Sequence, residues 1–162
     1  MNANNYQREM RGALATFMAK YFNGTNHLFG SETIAFPDAD ILQDRPQFGA
    51  QLPKPAIYVD LGIEPRPVDR RVTGAGTRRR EDIPLRIAVF TSDVRRQWPD
   101  NDRIQELLGT IFDGAAGEIA ASGLKVMQVG GSSKLHLDAS QQWQVSQRVV
   151  TVRVVLDYGR AS

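Results

Sequence analysis

Val149-Val150-Thr151-Val152-Arg153-Val154-Val155-Leu156-Asp157-Tyr158 is the stretch that decides the fold. Successive side chains of an extended chain point to opposite sides. Val150, Val152, Val154, Leu156 and Tyr158 therefore share one side, and Val149, Thr151, Arg153 and Val155 share the other. One side is apolar and the other mixed, the pattern of a sheet strand with a core against a single face. The same period recurs upstream. Ile57, Val59, Leu61 and Ile63 alternate with Tyr58, Asp60 and Gly62 over Ala56 to Ile63. Ile83, Leu85, Ile87 and Val89 alternate with Arg86, Ala88 and Phe90. Leu124 to Val129 reads as a further strand, followed by a turn or bulge at Gly130-Gly131-Ser132-Ser133. Thr33 to Phe36 reads as a short strand stopped by Pro37.

Helices are predicted at two places. Tyr6, Met10, Ala13, Leu14, Phe17 and Tyr21 recur at spacings of three and four, giving a helix over about Asn5 to Phe22 that ends at Asn23-Gly24. Ile104, Leu107, Leu108, Ile111 and Phe112 mark a second over about Asn101 to Asp113, with Asp100 as its N-cap and Gly114 at its end. Ala115 to Ala121 is expected to continue as a short helical piece. The order helix, strands, helix, strands predicts an α+β fold, a mostly antiparallel sheet with helices packed on one face. Regular strand–helix alternation is missing, which argues against a doubly wound parallel sheet.

Length and composition fit one soluble domain spanning residues 1–162, with long loops at about 37–55 and 64–82. The chain has 162 residues, 41% hydrophobic and 23% charged, with a formal net charge of +2. These values exclude a disordered chain, a collagen and a coiled coil. The net charge is too small to mark a nucleic-acid binder by bulk electrostatics. There is no cysteine, so disulfides, zinc-thiolate sites, iron–sulfur clusters and cysteine nucleophiles are excluded. The opening Met1-Asn2-Ala3-Asn4-Asn5-Tyr6 lacks a basic region followed by an apolar one, so no secretory signal is expected. No apolar run suits a membrane span.

Chemistry-bearing patterns are sparse. His27 and His136 are far apart and have no metal-ligand spacing; each reads as a surface or loop histidine. Asp38 with Asp40, Asp100 with Asp102, and Glu81-Asp82 are the carboxylate pairs, and helix capping accounts for such acids better than a cleft site does. Asp100-Asn101-Asp102 opens like a calcium loop, but Gln105 and Ile111 stand where its glycine and glutamate belong. Gly74-Ala75-Gly76-Thr77 lacks the lysine of a phosphate loop, and arginines rather than a helix follow it. No Gly-x-Ser-x-Gly elbow occurs. No catalytic, cofactor-binding or metal-binding residue is assigned, no cofactor is implied, and the chain is not expected to be an enzyme.

The most unusual feature is an arginine cluster. Arg66, Arg70, Arg71, Arg78, Arg79 and Arg80 lie in one hairpin region, with Glu64, Asp69, Glu81 and Asp82 among them. One reading is a solvated loop with internal ion pairs. The other is a basic arm that meets an acidic surface on a neighbouring subunit, or faces DNA, since guanidinium groups bind carboxylate and phosphate bidentately. On the second reading Arg70, Arg71, Arg78, Arg79 and Arg80 are the candidate contacts. No aromatics are interleaved there, so stacking on single strands is not indicated.

The layout of these elements resembles the tail terminators of long-tailed phages and prophages. The likeness is carried by an amphipathic N-terminal helix with Met10, Leu14 and Phe17, then a segment ending in Phe36-Pro37. The strand Ala56-Ile57-Tyr58-Val59-Asp60-Leu61-Gly62-Ile63 follows and leads into a glycine- and arginine-rich loop. After it come the strand Ile83 to Thr91, the helix with Ile104, Leu107, Leu108 and Phe112, and the closing Val154-Val155-Leu156-Asp157-Tyr158. The resemblance implies a virion structural protein of the tail or neck, assembled in the host cytoplasm. It implies a homo-oligomeric ring, usually hexameric, that caps the tail tube and joins it to the head. Implied partners are other copies of the chain, the tail tube protein and a neck or head-completion protein, with passing contact to DNA in the lumen. The alternatives are another neck or tail-completion protein, and a nucleic-acid-binding module using the arginine hairpin.

Overall fold

A computed structural model describes residues 1–47, 52–61, 66–67, 78–92, 98–135 and 143–159. Helix α1 (Tyr6–Ala19) buries Met10, Leu14 and Phe17 of the predicted stripe, and Met18 beside it. Strands β1 (Asn26–Phe29) and β2 (Glu32–Ala35) form a small antiparallel hairpin. Gly30 takes a positive φ of 61° in its turn, a conformation open to glycine at no steric cost. Then come β3 (Asp40–Leu42), β4 (Ala56–Asp60), β5 (Arg66–Pro67), β6 (Arg78–Ser92), helix α2 (Trp98–Gly114), β7 (Lys125–Leu135) and β8 (Trp143–Asp157). Two short 3₁₀ turns, Ala116–Glu118 and Ala120–Ser122, stand where a helical continuation was expected.

Strands β3 to β8 make a six-stranded sheet of order β3-β4-β6-β8-β7, with β5 also paired to β6. All its pairs are antiparallel except β3 with β4. The fold is therefore α+β and mostly antiparallel, as predicted. β4 pairs with Arg86–Phe90, and β5 with Glu81 and Asp82. Pro84 falls between those two stretches and lies opposite Thr151 of β8.

The alternation of β6 and β8 sets the layers. Ile83, Leu85, Ile87 and Val89 of β6 and Val150, Val152, Val154 and Leu156 of β8 are buried on one face. They share a single core cluster with Ile57 and Val59 of β4, Leu14 and Phe17 of α1, and Leu108 and Phe112 of α2. Each buried aliphatic side chain is worth about 1.5–3 kcal/mol, so this face carries most of the apolar driving force.

One end of the covered face is polar, and its polarity positions α2. Asn101 Nδ2 donates to the Val89 carbonyl (3.0 Å) and the Gln144 carbonyl (3.1 Å), and Ser146 Oγ donates to Asn101 Oδ1. One turn on, Gln105 Nε2 donates to the Ile87 carbonyl (3.3 Å). Arg148 Nη2 donates to the Gln105 carbonyl (2.8 Å), and its Nη1 to the Gly130 carbonyl. Burial pulls the Arg148 guanidinium below its ordinary value, with nearby Asp113 opposing. A Cβ on Gly109 would sit 3.2 Å from that guanidinium, so glycine in mid-helix lets Arg148 lie against α2.

Four boundaries differ from expectation. Asp100 lies inside α2, because the helix starts at Trp98, so it is a first-turn acid and not the N-cap. The strand expected to end at Val129 runs on to Leu135, and Gly130 and Gly131 form the bulge that is one of the two readings of this stretch, where the register shifts between Val129 and Ser132. The expected loop over 64–82 is shorter at its C-terminal end, because Arg78–Asp82 are the first rungs of β6. Likewise β3 lies within the expected 37–55 loop.

Candidate interaction surface

The opposite face of the sheet bears neither of the described α-helices, whose large buried apolar residues all belong to the core on the other side. Along β6 it presents Arg78, Arg80, Asp82, Pro84 and Arg86, and along β8 Val149, Thr151, Arg153, Val155 and Asp157, paired in register from Arg78↔Asp157 to Arg86↔Val149. Val149 is 38% exposed and Val155 44%. Charges on this face pair across the strands. Arg153 donates through Nε to Asp82 Oδ1 (2.8 Å) and through Nη2 to Oδ2 (3.2 Å). This fork-on-fork contact raises the Arg153 pKa, with hydrogen bonding to Asp82 the leading cause. Arg78 Nε lies 3.6 Å from Asp157 Oδ2.

The sequence-predicted contact residues thus divide. Arg78, Arg79 and Arg80 open β6, opposite Asp157, Leu156 and Val155. They form a strand and not a loop, because β8 supplies the hydrogen-bonding edge. Arg79 points to the other side, with its guanidinium 5.3 Å from the centre of the Tyr158 ring. Tyr158 in turn donates to Glu81 Oε1, and Glu81 is buried. Burial, then the Glu81 hydrogen bond, pushes the Tyr158 phenol up to about 12. The amino terminus is at this corner as well. Met1 N donates to the Val155 carbonyl (3.2 Å), and Ala3 N to the Asp157 carbonyl (2.8 Å). Arg70 and Arg71 lie outside the described residues, as do the Gly74–Thr77 tip and His136.

At the other end of the helix-free face, Ala56, Ala88, Phe90 and Val145 form a second apolar cluster, joined by Leu42, Leu52, Tyr58, Leu135 and Trp143. Trp143 meets Phe90 edge to face, with ring centres 5.8 Å apart. Beside this cluster is a hollow of about 230 Å³, floored by Ala88, Phe90 and Val145 and rimmed by Arg45, Asp60 and Arg86. The sequence reading missed it. The alternation of Ala88 and Phe90 with the core positions was visible, but Trp143 and Val145 lie upstream of the stretch whose periodicity marked β8.

His27 packs in an aromatic group with Tyr21 and Phe36, at ring-centre distances of 5.0 and 5.3 Å. Asp38 and Asp40 both face Lys54 Nζ at 3.2 Å. Among the described residues no group of three or more His, Asp or Glu is arranged to hold a metal ion. No described helix is long and apolar enough to cross a membrane. Neither a protein-family model nor a curated protein matches the sequence.

Proposed function

We propose that the chain is a virion structural subunit that works as a tail terminator, closing into a ring that caps the tail tube and joins it to the head or neck. The observation that supports this most is the helix-free sheet face, where exposed Val149 and Val155 alternate with arginine–aspartate pairs. A rigid sheet face with apolar points among ordered charges suits contact with protein. A head-to-tail contact between copies closes into a ring when its rotation permits, and the family resemblance favours six subunits. The tail tube protein and a neck or head-completion protein are the further partners, and the location is the tail or neck of the virion. The work is done by repeated shape and charge complementarity and needs no catalytic group. Arg78 and Arg80 border the contact face, while Arg79 is tied to Tyr158 and serves the subunit itself.

Sedimentation velocity of the purified chain over a concentration series tests the ring, and electron microscopy of phage lacking the chain tests the capping. The expected outcome is one closed oligomer of defined mass, with overlong tubes or headless tails when the chain is missing. A monomer at every concentration, together with normal tails in its absence, would overturn the proposal.

A further inference from the structure

We infer that the hollow beside Phe90 is a docking site for a segment of another protein that presents one large apolar side chain flanked by carboxylates. The floor is apolar and already ordered, because Ala88, Phe90 and Val145 are buried among their neighbours. A volume of about 230 Å³ suits one side chain and not an extended ligand. The small residue Ala88 makes the space; its cross-strand neighbours are Tyr58 on β4 and Gln147 on β8. The rim is charged, with Arg45 and Arg86 against Asp60, an excess of one positive charge among the described residues. An apolar anchor set in a pocket, with guanidinium groups at the border, is the anatomy of a protein-binding hot spot. Exposed Val149, opposite Arg86 in register, continues the apolar strip beyond the hollow.

Charge and shape favour an acidic peptide segment over nucleic acid. Phosphate recognition needs several unopposed cations along a groove, whereas here Asp60 stands among the described rim residues and the floor is hydrocarbon. The site does not depend on the ring assignment, because its parts lie within one chain.

The test uses the full chain. A random library of displayed peptides is selected on it, and the enriched peptides are labelled with fluorescein for anisotropy titration. The expected consensus is one Leu, Phe or Trp with Asp or Glu within two positions. Arg86→Glu, which reverses an exposed rim charge, and Ala88→Leu, which fills the hollow, should each weaken binding by about tenfold or more. Raising salt should weaken it further, by screening the rim. Thermal melts confirm that the variants fold; should Ala88→Leu not fold, Arg86→Glu carries the test alone. Three results would overturn the site. One is the absence of an enriched consensus, or binding that survives Arg86→Glu. Another is short duplex DNA that binds and is lost in Arg86→Glu while no peptide binds. The last is self-association of the chain abolished by Arg86→Glu, which would make a second copy the occupant.

Discussion

The two faces of β6 and β8 use one backbone for different ends. On the covered face Ile83, Leu85, Ile87, Val150 and Val152 are fully buried under α1 and α2. On the other face the same strands alternate Val149, Thr151, Arg153 and Val155 opposite Arg86, Pro84, Asp82 and Arg80. The covered face holds the fold together, and its apolar surface is consumed within the chain. Beyond Arg86 this face buries Phe90 and Val145, but between Arg78 and Arg86 it buries little, so the exposed valines and ordered ion pairs there suit contact with another molecule.

The largest expected break in that comparison is Val152→Asp. Val152 has no exposed surface and its neighbours in the core are hydrocarbon. An unpaired carboxylate there is expected to cost about 4 kcal/mol or more and to unfold the domain. Urea denaturation measures it; a variant that melted like the parent would mean that the register of β8 is wrong.

The polar end of the covered face should respond next. Asn101→Ala leaves the Val89 and Gln144 carbonyls and the Ser146 hydroxyl without the partner they now have. The expected loss is about 1–3 kcal/mol. Gly109→Ala sharpens the point through its sign. Alanine in a helix interior normally stabilises by about 1 kcal/mol relative to glycine. Here the new Cβ presses on an Arg148 held at both Gln105 and Gly130, so the change is expected to destabilise. A higher melting temperature for Gly109→Ala would show that Arg148 yields freely.

This polar end is also where the sequence was least legible. The apolar half of β8 announces itself, because Val150, Val152, Val154 and Leu156 alternate without interruption. Its first half, Trp143–Arg148, puts Gln144, Ser146 and Arg148 on the covered face and so breaks the apolar period. The Gln144 carbonyl, the Ser146 hydroxyl and the Arg148 guanidinium bond to Asn101 and Gln105, some forty residues away in sequence, and no local pattern announces such partners. The same applies to Arg78–Glu81, which read as loop by charge and are strand because β8 pairs with them. β3 is three residues long and borrows its order from β4. The helices were legible because their apolar stripes run at helical spacing through Met10, Leu14 and Phe17, and through Ile104, Leu108 and Ile111. Of the open-face hollow, only the alternation on β6 could be read; the strands that close it come together through tertiary pairing.

The margin between the faces supplies a pH test. Tyr158 is pushed up to about 12 by burial and by Glu81, and Tyr21 is raised as well, by burial and then by Glu118. Both phenols are more basic folded than unfolded, where the ordinary value is about 10. Their contribution is thus complete below about pH 10 and is lost as pH rises towards and through the folded values. The melting temperature should fall over about pH 10 to 12, and less steeply in Tyr158→Phe. Equal slopes for parent and variant would remove Tyr158 from the effect.

The smallest expected effect is the counterpart of the largest. Val155→Asp places the same carboxylate three residues from Val152, on the open face. Val155 is 44% exposed, lies opposite Arg80, and is two residues from Arg153. A charge there stays hydrated and sits among guanidinium groups, so the isolated subunit should change by no more than about 0.5 kcal/mol. In an assembled ring the outcome depends on what covers the face. If Val155 touches a neighbouring copy, the new carboxylate is desolvated on assembly and the oligomer dissociates at concentrations where the parent holds. Sedimentation of parent and variant at matched concentration separates the cases. Equal oligomer stability would place the subunit contact elsewhere and leave this end of the open face to a different partner. A large loss of subunit stability would mean that the open face supports the fold, and the contrast between the two faces would fail.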